Sequence, residues 1–145
     1  MNKQTKYNQN ILKKNFNLLQ EFKKISIYKH SSKDIILTLF KEDQEVGLED
    51  TLETINFLKE NYIASKKYFG ITYISKGASI SEKAREYWSK SEFIQSKTCS
   101  LAIIYSQLSQ RFLVSMYLKF NKPKTPIKSF KKISDAVDWL VSEGA

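Results

Sequence analysis

Cys99-Ser-Leu-Ala-Ile-Ile-Tyr105 is a near-continuous apolar run. It falls far short of the ~20 residues that a membrane helix needs. Runs of this kind are strands buried on both faces, as in parallel sheets covered by helices. Toward the N-terminus, Tyr68-Phe-Gly-Ile-Thr-Tyr-Ile74 reads as another strand, central in the sheet. Between the two, Lys76-Gly-Ala-Ser-Ile-Ser81 is a turn. Ser79 and Glu82 have the spacing of a capping box, so a helix carrying Ala84, Tyr87 and Trp88 is expected to start near Ile80 or Ser81. Toward the C-terminus, a helix is expected from about Ser109 to Phe120, with Phe112, Leu113, Met116, Tyr117 and Phe120 as its apolar side. Pro123 stops it. Pro126-Ile-Lys-Ser-Phe130 is a short strand, and Ser134 is expected to cap a last helix that places Trp139 in the core.

The first part of the chain adds a hairpin. Ile25–His30 alternates in the manner of a strand, Ser31–Lys33 turns, and Asp34-Ile-Ile-Leu-Thr-Leu-Phe40 is a second strand. After Gly47, Leu48, Leu52, Ile55, Leu58 and Tyr62 form a helical stripe. Glu49, Asp50 and Glu53 lie in its first turns, where the helix dipole favours negative charge. Ahead of the hairpin, Ile11, Leu12, Phe16, Leu19 and Phe22 suggest one helix over residues 8–22. The fold class is therefore α/β: a mixed sheet of four to five strands beginning with a β-hairpin, helices packed on it, and an extra N-terminal helix. Residues 1–24 read as a basic amphipathic helical extension and residues 25–145 as one domain, in keeping with a chain of 145 residues.

The 17 Phe and Tyr residues exclude a wholly disordered chain. A single cysteine, Cys99, excludes an internal disulfide and any multi-cysteine metal site. The formal net charge is +9, with +5 on residues 1–24, −5 on residues 41–60 and +11 on residues 61–132. Only Arg85 and Arg111 among the 24 cations are arginine. Readers of phosphates and base edges lean on the planar guanidinium, so a lysine-rich nucleic-acid-binding domain is disfavoured against a solvated lysine surface. Met1–Lys24 lacks the apolar core of a secretory signal, and a cytoplasmic protein without a membrane span is expected.

Catalytic signatures are missing. There is no phosphate-binding GxxxxGK[ST] or GxGxxG loop and no GxSxG elbow. His30, the sole histidine, has no cysteine or histidine at ligand spacing, and Cys99 opens a strand that reads as core. The chain reads as a non-enzyme with no cofactor and no metal.

The order of elements resembles the SpoIIAA-like domains of the STAS/SEC14-like group, small bacterial proteins of unknown role. The resemblance covers about residues 25–143. It is carried by Ile80-Ser-Glu-Lys-Ala-Arg-Glu86, by Ala102 in the apolar strand, and by Lys122-Pro-Lys-Thr-Pro126 followed by Phe130, Ala136 and Trp139-Leu140. Relatives often carry an acid at the end of the central strand, where this chain has Thr72-Tyr-Ile-Ser75. The resemblance implies a non-catalytic regulatory or protein-interaction module with an unknown protein partner, a homodimer being compatible. The alternative is a carrier of a small apolar ligand, as in SEC14-like relatives. In STAS domains the switch is a phosphorylated Ser or Thr after the central strand. The matching region here holds Ser75, Lys76, Ser79, Ser81 and Arg85 as candidate partner- or anion-binding residues. A helix N-terminus offers free N–H groups to an anion there. A serine cap and an ion pair of Arg85 with Glu82 or Glu86 account for the same residues structurally.

Overall fold

The computed structural model of the chain describes residues 2–61, 67–111 and 125–145, with the side chains of Ser89 and Gln95 left aside. Helix α1 (Lys3–Asn15) leads into strands β1 (Phe16–Glu21), β2 (Ile25–His30), β3 (Ile35–Phe40) and β4 (Glu45–Val46). Helix α2 (Leu48–Asn61), β5 (Tyr68–Ile74), β6 (Ser79–Ile80), α3 (Glu82–Lys90), α4 (Glu92–Lys97) and β7 (Thr98–Tyr105) follow. The chain closes with β8 (Ile127–Phe130) and α5 (Ile133–Ser142). The helix expected over residues 109–120 falls largely outside the described residues.

The main sheet has six strands in the order β1-β2-β3-β5-β7-β8. β1, β2 and β3 pair antiparallel, while β3, β5, β7 and β8 run parallel. The expected mixed sheet with its leading hairpin is therefore present, one strand larger than the four to five anticipated. The extra strand comes from residues 8–22, where one continuous helix was expected. The helix ends at Asn15, and Phe16–Glu21 pairs with the outer edge of β2. Backbone pairing with an open sheet edge outweighs the helical spacing of Phe16 and Leu19, because propensity is a weak prior against tertiary context. The segment 1–24 is thus a helix followed by an edge strand of the main sheet.

Side chains alternate between two faces of the sheet. On one face Ile35, Leu37, Ile71, Tyr73, Ala102 and Ile104 pack against Leu12 of α1 and Ile133, Ala136 and Leu140 of α5. On the other, Ile25, Ile27, Ile36 and Phe40 pack against Leu58 of α2, with Phe57, Ile80 and Phe93 half-buried around them. The central strands are apolar on both faces, as the Cys99–Tyr105 run implies, and Asp34–Phe40 lies within the sheet as expected.

Three expected details differ. Trp139 is half-buried at the margin of the first face, tilted against the Phe130 ring at 5.8 Å, because Ala136 and Leu140 occupy the innermost stripe of α5. Cys99 is likewise half-buried, since Thr98 and Ser100 take the buried positions on either side of it. Ser134 does not cap α5: the N-cap is Lys132, which makes no side-chain cap bond. The cap comes from α1. Asn8 Oδ1 accepts from Ile133 N at 2.9 Å, and Asn8 Nδ2 donates to the Lys131 carbonyl at 2.9 Å. Gln4 Nε2 adds a bond to the same carbonyl at 2.7 Å. Among the described residues, no helix is long and apolar enough to cross a membrane.

Candidate functional site

The carboxyl ends of parallel strands are where loops build sites in α/β sheets, and the candidate residues sit on the loop after β5. Ser75 is buried. Its N–H donates to the Phe40 carbonyl at 3.2 Å, and its own carbonyl accepts from Ala78 N at 3.0 Å. Gln110 ties the loop from outside, donating through Nε2 to the Ser75 carbonyl at 2.7 Å and the Ala78 carbonyl at 3.2 Å. Its Oε1 accepts from Ser106 N and Gln107 N at 2.8 and 3.0 Å, so the amide is saturated. Gly77 N donates to Gln107 Oε1 at 2.9 Å. Gly77 has φ +72°, and a Cβ there would fall 2.0 Å from Asp43 Oδ1. Only glycine satisfies both constraints. Lys76 is exposed, and its carbonyl accepts from Asp43 N at 3.0 Å.

Ser79 lies in β6, which pairs parallel with β4 through Glu45↔Ser79 and Val46↔Ile80. That pairing draws Ser79 away from the capping role. Ser81 takes it, its Oγ accepting from Ala84 N at 3.2 Å, and its carbonyl accepts from Arg85 N at 2.9 Å. The hydroxyl that a switch would modify is therefore already engaged in holding the helix start.

The five candidates do not form one surface. Ser75 and Lys76 border a crevice of about 220 Å³ of mixed lining, shared with Thr5, Asn8 and Leu12 of α1. Arg85 lies one helical turn past the cap and lines a different cavity, on the α2–α4 side of the sheet. The expected ion pair of Arg85 with Glu82 or Glu86 is not formed: among the described residues, ion pairs join Lys24 to Asp50 and Lys41 to Glu21.

That cavity holds about 120 Å³. Ile36, Gly70, Thr72, Leu101, Ile103 and Ile127 from four parallel strands contribute to its floor. Arg85 and Trp88 of α3 and Ile94 of α4 line it from the helices. Gly70 lets the Leu101 side chain lie close over β5, since a Cβ there would stand 3.0 Å from the Leu101 Cδ1. Arg85 and Trp88 are three residues apart and share one helix face. Both are half-buried. Among the described residues the Arg85 guanidinium has no hydrogen-bond or ion-pair partner, and the buried Trp88 Nε1 has none either. Tyr68, also on the lining, is buried, and burial raises its phenol pKa above the ordinary value.

A dyad of His30 and Cys99 is excluded by the sheet order. β3 and β5 separate β2 from β7, so the two residues lie three strand spacings apart, roughly 14 Å. His30 has a structural task. Its Nδ1 accepts from Ser32 N at 3.1 Å and Lys33 N at 3.2 Å, closing the hairpin turn, and its ring meets Phe16 edge-on at 5.0 Å. Burial first, then the positive charges of Lys33 and Lys29, lowers its pKa.

Comparison with known proteins places the fold. The family model for a domain of unknown function, DUF7793, matches residues 28–143. The chain belongs to the DUF7793 family. No curated protein matches it. Among solved structures, the DUF7793 chain is similar to an uncharacterized protein of the DUF3478 family with a SpoIIAA-like fold from Shewanella loihica. The two share 18% identity with a TM-score of 0.58, covering 86% of this chain and 94% of the other. At that identity the likeness concerns the fold alone, and the SpoIIAA-like resemblance in the sequence holds at that level. The match of DUF7793 begins inside β2, so α1 and β1, which contribute Asn8 and Phe16, precede it.

Sequence reading did not find the cavity. Its signal was present but faint: Gly70 in a strand interior marks a close approach or a missing side chain, and Arg85 and Trp88 stand three apart.

Proposed function

We propose that this DUF7793 chain is a non-catalytic regulatory binding module whose occupant is a small, largely apolar molecule held between the sheet and α3–α4. The observation that carries this reading is the 120 Å³ cavity with its mainly aliphatic floor. An engineered apolar cavity of about 150 Å³ admits benzene, whereas pockets for drug-sized ligands run to about 300–1,000 Å³. The size favours a ring-sized or short-chain molecule and speaks against a carrier that encloses a whole lipid. A purely surface-mediated partner module is less well supported, because Ser75, Lys76, Ser79, Ser81 and Arg85 are divided between different surroundings. His30 is committed to a turn and Cys99 lies three strand spacings from it, so these two do not form a catalytic pair.

Toluene titrated into methyl-labelled protein tests the reading. The Ile36, Ile103 and Ile127 methyls are expected to shift, while Ile104 and Leu140 on the opposite face stay in place. If none of the three floor methyls responds at millimolar toluene, the cavity is not a binding site and the proposal fails.

A further inference from the structure

The polar groups that face the cavity narrow the class of its ligand. Trp88 Nε1 is a donor with no acceptor capacity, buried and without a partner. Such an atom carries a desolvation penalty that an acceptor on a ligand would remove. Arg85, one turn earlier on the same face, is also purely a donor, always charged, and unpaired among the described residues. Gln110 borders the same space, but its amide is used up by Ser106, Gln107, Ser75 and Ala78. The nitrogen donors left for a ligand are therefore two, one cationic, on the helical wall. The buried Thr98 Oγ1, also on the lining and without a partner, can donate as well, and the rest of the floor is mainly aliphatic.

We infer that the occupant is a small monocarboxylate, with its carboxylate on Arg85 and Trp88 and its ring or short chain over Gly70, Leu101 and Ile103. This rests on the binding reading above. The planar guanidinium matches a carboxylate through paired hydrogen bonds, which are stronger than neutral ones. A single negative charge balances the single positive charge of Arg85. A doubly charged phosphate would bring an uncompensated charge into an apolar space, at high cost. The volume, somewhat below that of a benzene-binding cavity of about 150 Å³, limits the apolar part of the ligand to one ring or a short chain.

The test compares benzoate with toluene, and hexanoate with hexane-sized alcohols, on the intact chain, following the Trp88 indole N–H and the Ile103 methyl by NMR. Trp88→Phe assigns the indole signal against Trp139. Benzoate is expected to bind about tenfold to a hundredfold more tightly than toluene, the range of a charge-assisted hydrogen bond, and to move the Trp88 indole proton downfield. Arg85→Gln is expected to remove that preference while toluene still shifts Ile103. Arg85→Lys is expected to retain part of it, since the charge stays and the paired geometry is lost. Equal binding of benzoate and toluene to the unaltered protein, or an unchanged preference in a folded Arg85→Gln chain, overturns the carboxylate assignment and leaves the cavity reading standing. If neither compound moves Ile103, both fall together.

Discussion

The two faces of the sheet are built from the same strands and solve different problems. On the α1–α5 face, Ile104, Leu37 and Leu140 are fully enclosed, and Asn8 locks one helix to the start of the other. On the α2–α4 side, Leu101, Ile103 and Gly70 border open space beside an arginine and an indole that find no partner among the described residues. Dense packing and complete hydrogen bonding maximise stability. A void with unpaired donors forfeits some of it, and such forfeits concentrate where a protein does something besides fold. The α1 side has its own crevice, bordered by Asn8, whose amide is already engaged; the unpaired donors set the α2–α4 side apart and support the binding site proposed there.

Neighbouring residues on β7 test the contrast most strongly. Ile104→Ala is expected to cost about 3–4 kcal/mol, as for a well-packed aliphatic side chain. Ile103→Ala, whose side chain already borders a void, is expected to cost about 1–2 kcal/mol less. Denaturant midpoints of the two variants measure this, and equal losses would show that the faces are packed alike. Removing the lock comes next. Asn8→Ala leaves Ile133 N without its acceptor and the Lys131 carbonyl with Gln4 alone, and is expected to cost about 1–3 kcal/mol. Hydrogen exchange should show the gain in opening confined to the first turn of α5, with α3 unaffected.

Acid should weaken the filled face through His30. Its folded pKa lies below the ordinary value of 6.5, so the unfolded chain takes up the proton first as pH falls. The stability tied to neutral His30 is complete above about pH 6.5 and is lost progressively below it, toward the folded pKa. A His30→Gln variant should have a flatter stability profile between pH 7 and pH 5; an identical slope would remove His30 from the account. The smallest effect is expected from Gly70→Ala, within about 1 kcal/mol. The methyl presses on Leu101, which has space to yield, and alanine loses less chain entropy than glycine. Toluene affinity should nevertheless fall in this variant, because the methyl takes up ligand space.

What the sequence made legible is what depends on local pattern. The Cys99–Tyr105 and Tyr68–Ile74 runs gave their strands because a strand covered on both faces needs apolar side chains at successive positions. α2 followed from its stripe, and the start of α3 near Ser81 was legible although Ser81, not Ser79, is its cap. The misreadings share a cause. Phe16–Glu21 becomes a strand because β2 offers an edge, and α5 is capped by a side chain 125 residues away rather than by Ser134. Arg85 stands beside Glu82 and Glu86 in the sequence, yet lines the cavity unpaired by either. The candidate site was read as one loop for the same reason: proximity along the chain did not reveal that Arg85 and Lys76 border different cavities.

The bond between Asn8 and Ile133 also sets an order of events during synthesis. Asn8 leaves the ribosome 125 residues ahead of its partner. Until then α1 has no α5 to cap, and Leu12 has no α5 side chains to shield it. The parallel strands can assemble pairwise as they appear, but the α1–α5 face stays exposed to other chains until residue 133 is free. A nascent chain stalled between β7 and α5 should therefore be the form most dependent on chaperones.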